Sequence, residues 1–110
     1  MGYTVVDAND VEASHGVFRG LSSPLGVGAF KVNRLELAAD AAGPEHDHVA
    51  NDEEEVYAVV GGGGTLRVDG DEVALRPGMF VFCPPEARRQ MQAGSEGLVW
   101  IGIGASRAST

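Results

Sequence analysis

From Thr65 to Arg76 the chain reads Thr-Leu-Arg-Val-Asp-Gly-Asp-Glu-Val-Ala-Leu-Arg. Polar and apolar residues alternate up to Asp69, and Glu72 to Arg76 returns as a partner run. A period of two places successive side chains on opposite faces of an extended backbone, which is the pattern of a half-buried strand. Asp69-Gly70-Asp71 between two such runs reads as a tight hairpin turn. The rest of the chain is cut into pieces of similar length. Sixteen glycines and five prolines punctuate it, with turn signals at Gly43-Pro44, Pro77-Gly78 and Pro84-Pro85. Val27 to Leu37, Val56 to Val60, Met79 to Cys83 and Leu98 to Ile103 are further strand candidates, and Tyr3 to Val6 is strand-like. Leu35 to Ala42 contains helix-compatible residues. Its opening from Phe30 to Leu37 alternates instead, so it reads as a strand running into a loop. Ala105 to Thr110 reads as a frayed tail. Many short strands with turns between them predict an all-β sandwich or barrel.

A length of 110 residues predicts a single domain over residues 1–110. The net charge of −8 disfavours phosphate backbones and anionic lipid surfaces, so neither nucleic acid nor a membrane is expected as partner. No run approaches the ~20 apolar residues of a membrane-spanning helix. The single cysteine, Cys83, permits no internal disulfide, and the start MGYTVVDAND lacks the basic and apolar regions of a signal peptide. A cytoplasmic location is the expectation.

The chemistry concentrates near the middle. His46 and His48 stand two apart, so a strand would place both imidazoles on one face. Glu53, Glu54 and Glu55 follow, directly before the apolar run from Val56. Two imidazoles with a carboxylate form a candidate site for a divalent transition metal. The same residues also read as an exposed acidic turn with two solvated histidines.

The ordered context resembles the cupin superfamily of small double-stranded β-helix (jelly-roll) barrels. Gly43 precedes His46-Asp47-His48, and Glu55 is followed by six residues and Gly62. Val59 to Gly70 matches the family's hairpin segment, and Gly78, five residues and Pro84-Pro85 match its second motif. The resemblance covers roughly residues 27–103. It implies His46, His48 and Glu55 as ligands of iron, nickel, zinc or manganese. Glu55 is preferred because Gly62 and Gly64 then fall at the family's turn glycines. Glu54 is the alternative and would project from the opposite face. The gap from His48 to Glu55 is longer than the family's usual three or four residues.

The second motif departs from the pattern. Arg89 stands where full metal sites have a further histidine, Glu86 stands at the motif's glycine and Ala93 at its late asparagine. Arginine offers no lone pair to a metal. If it points inward it opposes a divalent cation, pairs with Glu55, or grips an anionic ligand bidentately. Tyr57 shares the face of Glu55 and is a ligand-binding or packing residue. Gln90 is a polar pocket residue if a bulge shifts the register. Phe80, Phe82 and Met91 are expected to line the barrel, Arg88 to be solvated, His15 to sit in a solvated loop, and Cys83 to be a buried thiol. The resemblance implies isomerase, epimerase or dioxygenase chemistry on a small polar molecule, or a metal-free binding or sensing barrel. It also implies a homodimer, with Tyr3 to Val6 adding to an edge.

Overall fold

In the computed structural model, which describes residues 2–107, six strands form one antiparallel sheet wrapped into a barrel. They are β1 (Phe18–Gly20), β2 (Lys31–Leu37), β3 (Glu53–Val68), β4 (Asp71–Leu75), β5 (Phe80–Cys83) and β6 (Arg89–Ser106). The order across the sheet is β1-β2-β6-β3-β4, with β5 also paired to β3. The expected all-β jelly-roll class is therefore what the chain adopts. The named helices among the described residues are one turn of 3-10 helix at Ala8–Asp10 and a short helix, α1, at Ser22–Leu25. Among the described residues no helix is long and apolar enough to cross a membrane.

The hairpin read from the sequence joins β3 to β4 with a two-residue loop, pairing Val68 with Asp71. Asp69 (φ 49°) and Gly70 (φ 88°) both take left-handed backbone, the geometry that follows strand twist in so short a loop.

The four glycines at 61–64 are not the turn that was expected. They lie inside β3, which pairs with β6 from Glu53 to Val68, with register shifts between Val59 and Gly61 and between Gly62 and Gly64. Glycine is needed there because the two strands approach closely. A Cβ on Gly62 (φ 68°) would sit 2.1 Å from the Gly97 carbonyl oxygen, and one on Gly64 would sit 2.1 Å from that of Gln92. These bulges let one strand serve two parts of the barrel. Its first half lies between β6 and β5, and its second half between β6 and β4.

Three further expectations change. The strand from Val27 begins only at Lys31, after α1 ends at Gly26 in left-handed conformation. Ala105 and Ser106 belong to β6 rather than to a frayed tail, of which residues 108–110 lie outside the described ones. Tyr3 to Val6 form no strand with their own chain.

The core comprises Leu37, Tyr57, Val59, Leu66, Leu75, Cys83, Ala87, Met91, Ala93, Leu98 and Trp100. Met91 is buried as expected, but Phe80 and Phe82 are 73% and 59% exposed. On β5 it is Val81 and Cys83 that point inward. Every residue from Met79 to Cys83 is apolar, so the run itself does not say which face is buried.

Candidate functional site

Strand pairing sets the inner surface row by row. Val59, Trp100, Leu35 and Phe18 lie side by side across β3, β6, β2 and β1. Tyr57, Gly102, Asn33 and Gly20 form the next row, and Glu55, Gly104 and Lys31 the one after it. Phe18, Leu35 and Trp100 of the first row, Tyr57, Gly102 and Asn33 of the second, and Glu55 and Lys31 of the third line a cavity of about 340 Å³. Val17, Leu37 and Met91 extend its apolar wall, and His46, His48, Glu53 and Arg89 complete its polar end.

His46 and His48 lie on an extended segment rather than in a full strand. A single antiparallel bridge ties His46 to Arg89, and the His48 N–H donates to the Pro85 carbonyl at 3.0 Å. The two rings meet edge to face, 5.1 Å between centroids. The His46 Nδ1 lies 3.2 Å from the Pro44 carbonyl, which only accepts. A proton on Nδ1 makes that bond and leaves the Nε2 lone pair free for a ligand.

Glu55 is the focus of the cluster. Its Oε1 lies 3.0 Å from His48 Nε2, accepts from Tyr57 Oη at 2.6 Å, and accepts from Arg89 Nη2 at 2.5 Å. Burial raises the Glu55 carboxyl pKa, but the bonds from Tyr57 and Arg89 and the charges of His48 and Arg89 outweigh it, so the pKa is lowered. Burial and the Glu55 charge push the Tyr57 hydroxyl far up, so it keeps its proton in neutral water. Glu54 is exposed on the other face, as strand alternation requires.

Arg89 points inward and is 1% exposed. Its Nε donates to Tyr57 Oη at 3.1 Å, and its Nη1 donates to the carbonyls of Ala87 and Pro84 at 2.8 and 3.2 Å. With Nη2 on Glu55, four of its five N–H groups are committed. A bidentate grip on an anion would have to break one of these bonds. Burial lowers the Arg89 pKa, yet the bonds to Tyr57 and Glu55 raise it further, so the cation is permanent.

The remaining candidates lie elsewhere. Gln90 alternates away from the cavity and donates to the Gly43 carbonyl at 3.0 Å. Arg88 is exposed and pairs with Glu45 at 2.8 Å. His15 is an exposed loop residue with positive φ. Cys83 is buried, and burial raises its thiol pKa despite the opposing pull of Arg89.

The sequence reading missed Glu53. It is 5% exposed and lines the same cavity as Glu55. Its Oε2 takes the Lys31 ammonium at 2.9 Å and the Asn51 amide at 3.2 Å. The period of two held the signal, since residues 53, 55 and 57 share one face.

The donor set fits a divalent metal. One ligand atom from each of His46, His48 and Glu55 falls within 4.8 Å of the others. The 3.0 Å between His48 Nε2 and Glu55 Oε1 is about the separation of two neighbouring ligands each ~2.1 Å from one ion. The Arg89 cation on Glu55 opposes such an ion electrostatically.

The family model described as "Cupin domain" matches residues 33–104. No curated protein matches the sequence. A cupin protein from Bacteroides fragilis superposes with a TM-score of 0.83 at 23% identity, covering 100% of this chain and 89% of its own. The predicted oxalate decarboxylase of Thermotoga maritima gives 0.78 at 17%, covering 94% and 99%. The polyketide cyclase RemF of Streptomyces resistomycificus gives 0.78 at 20%, covering 92% and 78%. At these identities the likeness is one of fold.

Proposed function

This chain belongs to the cupin domain family, and from that premise we propose that it holds a divalent metal and a small molecule in one barrel cavity. His46, His48 and Glu55 are the metal ligands in this reading, and iron, nickel, zinc or manganese suits two imidazoles and a carboxylate. The carrying observation is the inward cluster itself, with three potential ligand atoms within 4.8 Å at the polar end of the cavity. A bound metal would supply Lewis acidity or a site for a redox step.

The chain's own residues do the rest. Pro44 fixes the His46 ring so that Nε2 faces a ligand. Tyr57 and Arg89 hold the Glu55 carboxylate in place and keep it ionised. Trp100, Leu35, Leu37 and Met91 exclude water around the apolar part of a bound molecule. Isomerase, epimerase or dioxygenase chemistry suits such a site. The fold does not choose among them, since the structural neighbours include a predicted oxalate decarboxylase and a polyketide cyclase.

One observation favours a second reading, a metal-free binding or sensing barrel. Arg89 already neutralises Glu55 from inside the barrel, so the site is charge-balanced without an ion. Elemental analysis and calorimetric titration of wild type and Arg89→His with Fe²⁺, Ni²⁺, Zn²⁺ and Mn²⁺ decide between them. Stoichiometric binding by wild type carries the first reading. No binding by wild type together with binding by the variant carries the second.

A further inference from the structure

The cavity changes character along the strands that build it. Glu55 and Val59 on β3, Lys31 and Leu35 on β2, and Gly104 and Trp100 on β6 stand four positions apart, about 13 Å along a strand. At one end are the histidine cluster, Arg89 and the Lys31–Glu53 pair. At the other the wall is Leu35, Leu37, Met91 and Trp100, with Val17 and Phe18 beside them. The polar end is largely committed to itself. Tyr57 donates to Glu55, Arg89 donates to Tyr57, Glu55 and two carbonyls, and Glu53 holds Lys31 and Asn51. Between the two ends Asn33 offers a single amide, whose Oδ1 leans toward Gly20. Of the six side chains at the apolar end only Trp100 carries a donor, its indole N–H, and none carries a strong acceptor. A hydroxyl brought there would leave water and find no acceptor, whereas an apolar group gains by the move.

Phe18 is the part of this wall that meets solvent. It lies on β1, the last strand of the sheet order, and is 39% exposed. Its backbone is held from both sides. Register pairs it with Leu35, its N–H donates to the Ser14 carbonyl at 3.1 Å, and its carbonyl accepts from the Ser14 N–H at 2.8 Å. Gly20, two residues on and on the same face, makes room for the ring. A Cβ there would lie 3.3 Å from Phe18 Cε1. The chain thus fixes an aromatic ring at the edge of an apolar cavity, where part of its surface stays in water until something apolar covers it.

We propose that the cavity takes an amphipathic monocarboxylate, with its anionic head at the histidine cluster and an apolar body that ends against Phe18, the residue that sets specificity for that body. The inference rests on the small-molecule reading of this cavity and deepens it by naming the ligand class. The charge of the head follows from the cluster. Glu55 and Arg89 offset each other, as do Glu53 and Lys31, so a divalent ion on the histidines would leave this end with surplus positive charge that a carboxylate complements. The nature of the body follows from the other end. A sugar or polyol would bring several hydroxyls to a wall without acceptors, and an alkyl or aryl group would not.

Two matched pairs of probes test this by calorimetric titration of the full chain at saturating Zn²⁺. Cyclohexenecarboxylate and shikimate share a ring and a charge and differ in the hydroxyls that shikimate carries. The first should bind at least about tenfold tighter. 4-Phenylbutanoate and butanoate share a head and differ in the phenyl group, which should also be worth at least about tenfold. In Phe18→Ala the phenyl advantage should fall at least about threefold, with butanoate affinity unchanged. In Val60→Ala, at an exposed site away from the cavity, it should stay as in wild type. Phe18 is partly exposed and its bonds to Ser14 are main-chain, so the alanine variant keeps the fold. Because the advantage is a ratio within one protein, a general loosening cancels. Shikimate binding as tightly as cyclohexenecarboxylate, a phenyl advantage unchanged in Phe18→Ala, or no binding by any probe overturns the proposal. Zinc stoichiometry is measured in parallel. A Phe18-dependent preference in protein that binds no zinc would overturn the metal reading and leave this inference standing, and zinc binding without that preference would do the reverse.

Discussion

His46 and Arg89 bridge each other through their backbones, each N–H donating to the other's carbonyl at 2.9 Å. Residues 43 positions apart are thereby locked in register beside the cavity. The guanidinium of Arg89 reaches Glu55 from a strand start that also fixes one of the imidazoles. Ligand cluster and competing cation are set by one piece of backbone geometry, and substitutions at position 89 therefore read out both.

Arg89→His removes the cation from Glu55 Oε1 and adds an imidazole beside His46. Affinity for Zn²⁺ or Ni²⁺ should rise at least tenfold, about 1.4 kcal/mol. Calorimetric titration measures it. Unchanged affinity would mean that Arg89 does not oppose a metal.

Arg89→Ala carries a different cost. It leaves the Tyr57 oxygen, the Ala87 and Pro84 carbonyls and the Glu55 carboxylate short of a donor. Removing one partner of a buried pair typically costs ~3–5 kcal/mol. Arg89→Lys should recover little of it, because a single ammonium cannot reproduce the planar fork. Urea unfolding at neutral pH is the measurement, and a loss below about 1 kcal/mol for the alanine variant would contradict the network.

Much of this network was open to sequence reading, and the failures have physical reasons. The hairpin was legible because Asp69-Gly70 supplies two left-handed residues between alternating runs. Alternation put Glu54 and Glu55 on opposite faces, but the preference for Glu55 rested on reading Gly62 and Gly64 as turn residues, whereas both lie inside β3. The glycines at 61–64 misled, since glycine serves a turn and a close strand crossing equally well. Three successive glutamates looked like a solvated turn, which hid the burial of Glu53. The inward direction of Arg89 follows from alternation with Met91 and Ala93 on β6, but an arginine beside a second arginine reads equally as part of a solvated edge.

Acid should weaken the fold through Glu55. Burial raises its pKa, but Tyr57, Arg89 and His48 outweigh burial and hold it below the ordinary carboxylate value in the native state, and the unfolded chain has the ordinary value. The stabilisation is therefore complete above the ordinary carboxylate range and is lost as pH falls through the lower native value. Other carboxylates respond to acid too, so the informative quantity is the stability difference between wild type and Glu55→Gln without added metal. That difference should be largest at pH 6–7 and should shrink below about pH 4.5. A difference that stays constant from pH 7 to 3 would show that ionised Glu55 contributes nothing.

The final prediction concerns assembly, for which we propose a two-fold homodimer. Phe82, Val56, Ile103 and Val32 lie in one cross-strand row on the outer face, with Phe80, Ala58 and Ile101 in the next. Phe82 and Ile103 are exposed there. Such a continuous apolar band over four strands gains by being covered. The same chain carries an apolar arm with nothing of its own to cover, since Tyr3 and Val5 are 91% and 81% exposed. In a symmetric pair each arm can lie across the partner's band, which satisfies both surfaces twice over. Light scattering should give twice the chain mass. Deleting residues 1–10, or changing both Phe80 and Phe82 to Ser, should shift the protein toward monomer. A clean dimer that survives both changes would place the contact elsewhere, and a monomeric wild type would remove the dimer altogether.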